Sequence, residues 1–381
     1  MHRASFRAVR PVALALILVA AAACSSASPT DPGATASLGP GDPISLGPAP
    51  SVGPSAGPSS LSCPRPLRVG LVGQPGSLTD NGYNQSAVSG LAAASAAAPG
   101  CFSVDSVATK TVDDATSDLA AYASRGYDIV IGVGQALGDA LGDAAAKNSG
   151  VRFIGVDTAP GPSHDATWNT NGQSLFFAED EQGYLAGTLA ALLSHNHNVG
   201  VVGGLLLVPQ VEASVEGFLH GAAATVPGIT VQFAYTTSFD DPAQGGAAAR
   251  AMMAKGADVI FSTGSATGDG ALQAACKAGV LAIGSDTDQA LSLPAAAGCI
   301  VSSATKNIAG AVSAALLRIA AGTFTPGFHT DDAASGGIVM ATGHALSGDI
   351  STADQAQLDS TLQGLADGSV KPAVVIDGKT P

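Results

Sequence analysis

Two distant segments of this chain carry the same local pattern, and that repetition limits the fold more than any other feature. Tyr127–Leu141 reads YDIVIGVGQALGDAL and Ala257–Leu272 reads ADVIFSTGSATGDGAL. Each is an apolar run suited to a buried parallel strand, then a Gly-rich turn, then the start of a helix. Each is followed by a short strand ending in aspartate, FIGVD at Asp157 and AIGSD at Asp286. The step from Gly134 to Asp157 is 23 residues and that from Gly264 to Asp286 is 22. A βαβ block repeated at matched spacing predicts an α/β protein with two similar doubly wound, parallel-sheet lobes. Strand carboxyl ends from both would face a shared cleft and bring Asp157 and Asp286 to it.

The rest of the chain fits two such lobes. With 381 residues and a 46% hydrophobic share there is enough apolar surface for two cores, built from Ala, Val, Leu and Ile because aromatics are only 4%. Strands are predicted at 67–72, 103–108, 128–133 and 151–156, and again at 199–203, 229–235, 258–262, 280–285 and 299–303. A loop rich in Pro, Asn and Gly follows Asp157. Helices are predicted at 85–97, 114–125, 135–148, 180–194, 211–225, 242–255, 268–278, 307–321 and 353–367, with a further strand near 337–341. The first strand runs into a polar turn holding Gln74, Asp80, Tyr83 and Asn84. Such loops at strand carboxyl ends are where open α/β sheets bind ligands, so this turn is a candidate contact; a solvated, helix-capping turn is the alternative.

Composition removes other classes. Acidic residues outnumber basic ones 30 to 16, a net charge of −14, which argues against nucleic acid. Residues 1–24 read as an export signal: a positive start (Arg3, Arg7, Arg10), an apolar stretch from Val12 to Ala20 too short to span a membrane, and small residues before Cys24. A cysteine so placed suits lipidation, with an ordinary cleavage site as the alternative. Residues 25–62 are Ser, Pro, Gly, Ala and Thr with almost no charge and read as a tether. Of the other cysteines, Cys63 and Cys101 precede neighbouring strands, while Cys276 ends a helix and Cys299 opens a strand. The pairs Cys63–Cys101 and Cys276–Cys299 are therefore predicted as disulfides in an oxidising compartment, with buried free thiols as the alternative.

Several motifs carry less than they suggest. Gly132-Val133-Gly134 with an acid downstream mimics a dinucleotide fingerprint, but the third glycine, Gly138, is one position late. Gly53-Pro54-Ser55-Ala56-Gly57 matches a nucleophile elbow without the strand and helix such an elbow needs. The histidines do not cluster as ligands, and no metal or cofactor is expected. The turn at Gly264 opens a helix whose free N–H groups could meet a ligand oxygen, or simply allows close packing. Asp157 and Asp286 could each accept two hydroxyl hydrogen bonds, or could cap helices.

Ten blocks recur in order: LRVGLV…TDNGYNQSAVSG, YDIVIGVG, VRFIGVD, FFAEDEQGYLAG, NVGVVGG, EGFLHGA, SFDDPAQG, GADVIF, IGSDTDQ and SSATKN. Together, from about Leu67 to Lys371, the chain resembles the basic membrane protein (BMP) family, the PnrA-like substrate-binding lipoproteins of ABC importers. That resemblance implies a type I periplasmic-binding-protein fold with a hinge, a purine nucleoside ligand and an ABC permease as partner. It assigns Tyr83 to a base-stacking position with Asn84 beside it, puts Asp157 and Gly264 in the cleft, gives Asp286 the ribose hydroxyls and brings Lys306 near the ligand. Two residues depart from the family pattern: Gln74 replaces an aspartate facing the base, and Ser214 stands near a second stacking aromatic. Trp168, the only tryptophan, is the candidate replacement wall. The expected organisation is a first lobe of 63–176 plus 304–324 and a second of 177–303 plus 325–381. The expected protein is a monomeric, lipid-anchored solute-binding protein and not an enzyme. A ligand sensor and an extracellular nucleoside hydrolase using the paired carboxylates are the alternatives.

Overall fold

A computed structural model describes residues 61–79, 82–342 and 349–379. The export signal, Cys24, most of the tether and Asp80 lie outside the described residues. The chain opens with β1 (Leu67–Pro75), α1 (Tyr83–Ala97), β2 (Phe102–Thr109), α2 (Val112–Ser124) and β3 (Ile129–Val133). It continues through α3 (Gly138–Lys147), β4 (Arg152–Val156), α4 (Asp165–Asn171) and β5 (Gly172–Phe177). The second series is α5 (Glu179–Leu193), β6 (Asn198–Leu205), α6 (Pro209–Thr225), β7 (Thr230–Thr236), α7 (Pro242–Met253) and β8 (Val259–Thr263). After it come α8 (Ser265–Lys277), β9 (Leu281–Asp286), α9 (Gln289–Ser292), β10 (Ile300–Lys306), α10 (Ile308–Ala320), β11 (Gly327–Asp331), β12 (Ile338–Met340) and α11 (Thr352–Ala366).

The twin pattern becomes two six-stranded sheets, ordered β2-β1-β3-β4-β5-β11 and β7-β6-β8-β9-β10-β12. The first five strands of each follow the same doubly wound order, whose topological switch points fall between β1 and β3 and between β6 and β8. The central strands β3 and β8 are buried at every residue. Helices on both faces cover them, which is why they read as unbroken apolar runs rather than as alternations. Among the described strands, only β12 runs antiparallel to its neighbour, β10. Both disulfides form as predicted, Cys63–Cys101 and Cys276–Cys299.

The structure differs from expectation in two places. The segment after Asp157 is not a plain loop but holds α4 and β5. In addition, β11 pairs with β5 in the first sheet, so residues 327–331 do not belong with the second lobe as the 325–381 assignment had it. The sequence GFHTD has neither a β-branched run nor alternation, and edge pairing to β5 supplies what propensity does not.

The chain passes between the sheets three times, at Ala178, at Asn307 and between β11 and β12. These crossings are stitched together: Ala178 N–H donates to Asp331 O, Asn307 N–H to Gly337 O, and Ala333 N–H to the Glu181 carboxylate. Next to the first crossing, α5 and α6 meet backbone to backbone. A Cβ on Gly183 or Gly187 would overlap the carbonyl oxygens of Ser214 and Phe218, and one on Gly217 or Gly221 those of Asp180 and Tyr184. A Gly-x-x-x-Gly pair on each helix makes this contact possible.

Candidate functional site

The site is built from strand ends. Asp157 follows β4 and Asp286 closes β9, the matched positions of the repeat. Both adopt the left-handed backbone conformation, with φ 53° and 66°. That conformation is uncommon outside glycine but tolerated by aspartate, and such strain gathers at functional sites. Lys306 closes β10 at the second crossing, and its ammonium is the hub. It donates to Asp157 Oδ2 at 2.9 Å and to the Tyr83 hydroxyl at 3.0 Å. Glu179 Oε1 lies 2.9 Å from it and Asp286 Oδ1 3.4 Å. The Tyr83 hydroxyl in turn donates to Asp157 Oδ2 at 2.9 Å. Gln182 on α5 donates to Asp286 Oδ1 and to Ala304 O, both at 2.9 Å. Groups from both lobes thus converge on one nitrogen.

Burial sets the electrostatics. The side chains of Lys306, Asp157 and Glu179 are 4%, 7% and 9% exposed, while Asp286 keeps 24%. Desolvation works against the Lys306 cation, yet Asp157, Asp286, Glu179 and Tyr83 outweigh it and hold its pKa well above the ordinary lysine value. Burial pushes Glu179 up to about 7, with Asp157 adding to the rise and Lys306 opposing it. Tyr83 is raised well above its usual value by burial and then by Asp157 and Asp286. Three carboxylates around one ammonium leave unspent accepting capacity. Asp157 Oδ1 and Gln182 Oε1 are buried without a hydrogen-bond donor, and Glu179 Oε1 has only the Lys306 ammonium beside it, at 2.9 Å. Acceptors of this kind call for a partner rich in O–H or N–H groups.

A cavity of about 230 Å³ opens beside this cluster, bounded by Ser86, Asp286, Thr287, Thr305, Lys306 and Asn307. A larger one, about 510 Å³, lies at the amino ends of the second sheet near Asp258. The Asp258 carboxylate is already occupied by Ser194 Oγ and the N–H groups of His195 and Asn196, so that hollow is distant from the chemistry. Among the described residues, no group of three or more His, Cys, Asp or Glu is disposed to hold a metal.

The structure therefore brings Tyr83, Asp157, Asp286 and Lys306 together. Asn84 instead fastens the turn after β1, donating to the carbonyls of Gln74 and Ser77. The Gln74 side chain lies over Gly134 at the first switch point, and Gly264 sits against Gly204 at the second. Trp168 is no wall of the cleft. It is buried in the core of the first lobe, its indole N–H on Ser174 Oγ and its ring beneath Gly172. Ser214 is buried at the α5–α6 contact. Sequence reasoning missed Glu179 and Gln182. Their signal was the FFAEDEQG block, where an acid opening a helix reads first as a complement to the helix dipole.

A family model described as ABC transporter substrate-binding protein PnrA-like matches residues 68–358. The chain is 30% identical over 164 residues to the ABC transporter nucleoside-binding protein BmpA of Lactococcus lactis, a match covering 42% of this chain and 44% of that protein. It is 25% identical over 233 residues to the transcriptional activator protein med of Bacillus subtilis, 61% of this chain and 69% of that one. The chain spans about half the length of the curated relatives it matches. Among solved structures, an ABC transporter solute-binding protein from Aeropyrum pernix superposes with TM-score 0.65 at 21% identity, covering 80% of this chain and 93% of that one. One from Conexibacter woesei gives 0.65 at 24%, covering 80% and 98%. These likenesses establish the type I periplasmic-binding fold.

Proposed function

The chain belongs to the Bmp family, the PnrA-like substrate-binding proteins of ABC transporters, and from that premise we propose that it is the solute-binding component of an importer. In this reading it is tethered outside the cytoplasmic membrane through Cys24. It closes on a small hydroxyl-bearing ligand, a purine nucleoside, and delivers it to a membrane permease without turning it over. One observation carries the ligand class: the buried cluster at the cleft, where Asp157, Asp286 and Glu179 surround Lys306 with oxygen acceptors left over. Vicinal hydroxyls supply donors to Asp157 and Asp286, Lys306 returns one N–H, and the Tyr83 ring offers an aromatic face. The L. lactis relative, named for nucleoside binding, supports the same choice. Closure follows from a ligand that touches both lobes and so has higher affinity for the closed form.

A thermal-shift panel of nucleosides, free bases, pentoses and nucleotides tests this. A nucleoside at a hundred times its Kd should stabilise the protein by about 2.7 kcal/mol, and Asp286→Ala should remove the shift. No response to any nucleoside, or an unchanged response in the variant, overturns the assignment. Release of free base on prolonged incubation would favour the hydrolase. Similarity to a protein named as a transcriptional activator keeps a sensing role as the second reading, which transporter genes beside this one would count against.

A further inference from the structure

Lys306 has three N–H groups and four oxygens competing for them. Two N–H bonds cross to the first lobe, to Asp157 Oδ2 and the Tyr83 hydroxyl. The third is contested within reach of the second sheet, by Glu179 Oε1 at 2.9 Å and by Asp286 Oδ1 at 3.4 Å. Glu179 opens α5 just past the first crossing, while Lys306 ends β10 at the second, so their ion pair ties two crossings together. The charged groups acting on Glu179 are Lys306 from β10 and Asp157 from the end of β4, while Asp286 from the end of β9 and Tyr83 from α1 share its Lys306 partner. On its own helix Asp180 follows, and Glu181 is turned to Ala333 N–H.

We propose that Glu179 is a positioning residue for ligand capture: its charge draws the Lys306 ammonium toward the first crossing, and its neutral form releases that ammonium to Asp286 and to a bound hydroxyl. This rests on the cleft being the ligand site as read above. Glu179 needs no contact with the ligand, since it acts through Lys306. A neutral Glu179 also lowers the cluster from three carboxylates to two against one ammonium, which eases burial of an uncharged ligand. Ligand affinity then rises on acidification, with a proton taken up on binding.

Two measurements test it. In ligand-free protein, the ¹⁵Nζ resonance of Lys306, identified by its loss in Lys306→Met, should titrate with a midpoint near the raised Glu179 value of about 7. It should stay flat through that range in Glu179→Gln. A resonance that does not titrate in the wild type, or titrates equally in the variant, overturns the proposal whatever the ligand proves to be. With adenosine and guanosine as probes, wild-type affinity should be about tenfold higher at pH 6 than at pH 8, the ratio of the neutral Glu179 fractions at those pH values for a pKa of about 7. Glu179→Gln should hold the pH 6 affinity at both. A wild-type affinity independent of pH also overturns it. Absence of nucleoside binding alongside an intact Lys306 titration condemns the nucleoside reading and upholds only the control of the Lys306 ammonium by Glu179.

Discussion

At the residue scale the site is one cation serving several anions, and its cost is visible in pH. Glu179 has a pKa raised from 4.5 to about 7 in the folded chain, chiefly by burial. A raised carboxyl binds its proton more tightly when folded, so its favourable share is complete below about 4.5 and is lost as pH climbs through about 7. Stability should therefore fall by about 3 kcal/mol across that window, at 1.36 kcal/mol per unit. Glu179→Gln should flatten the curve, as read by chemical denaturation at a series of pH values; an equal slope in the variant contradicts it. Lys306→Met should behave oppositely, leaving Asp157 and Asp286 buried without their cation and lowering stability by about 3–5 kcal/mol at pH 8. Asp157 and Asp286 were legible from strand ends and Tyr83 from the polar turn after the first strand, whereas Lys306 was pointed to only by the family resemblance. Glu179 and Gln182 were not, because a helix-opening acid and a buried amide have ordinary structural uses. Trp168 was misjudged for a related reason: being the only tryptophan says nothing about which way a ring faces.

At the scale of elements, two devices hold the lobes in shape. The glycine faces of α5 and α6 let the helices touch along their backbones, so Gly217→Ala must push a methyl group into the Asp180 carbonyl. Overpacking of this sort costs about 1–3 kcal/mol. A matching drop in thermal unfolding, absent from Gly150→Ala at a site with open space and no left-handed φ, would locate the cost in the helix contact. The disulfides do different work. Cys276–Cys299 spans 23 residues and Cys63–Cys101 spans 38, lengths for which loop-closure entropy gives about 3–4 kcal/mol each. Replacing either pair with serine should lower stability by that order, measured in denaturant under non-reducing conditions. Strands β3, β4, β8 and β9 announced themselves through repeated apolar runs, and the cysteines through their places at neighbouring strand starts. β11 did not, since an edge strand answers to its neighbour rather than to its own composition.

For the whole molecule, the informative quantity is the balance between open and closed lobes. The three crossings at Ala178, Asn307 and the β11–β12 link are joined by backbone hydrogen bonds, so the sheets can change angle only by a concerted adjustment there. Lys306 already spans the two lobes through Asp157 and Tyr83, which supplies some closed-state preference before any ligand enters. A ligand shifts the balance only by its difference in affinity for the two forms. Weakening the built-in bridge should therefore weaken binding even when ligand contacts survive. Tyr83→Phe isolates this: it keeps the ring and deletes the hydroxyl that accepts from Lys306 and donates to Asp157. Small-angle scattering of ligand-free protein should give a larger radius of gyration for the variant than for the wild type, and saturating nucleoside should bring the two together. Affinity should fall by roughly tenfold, the weight of about 1.4 kcal/mol for a hydrogen bond to a charged group. Equal radii with reduced affinity would instead mean that the hydroxyl touches the ligand and has no part in holding the lobes.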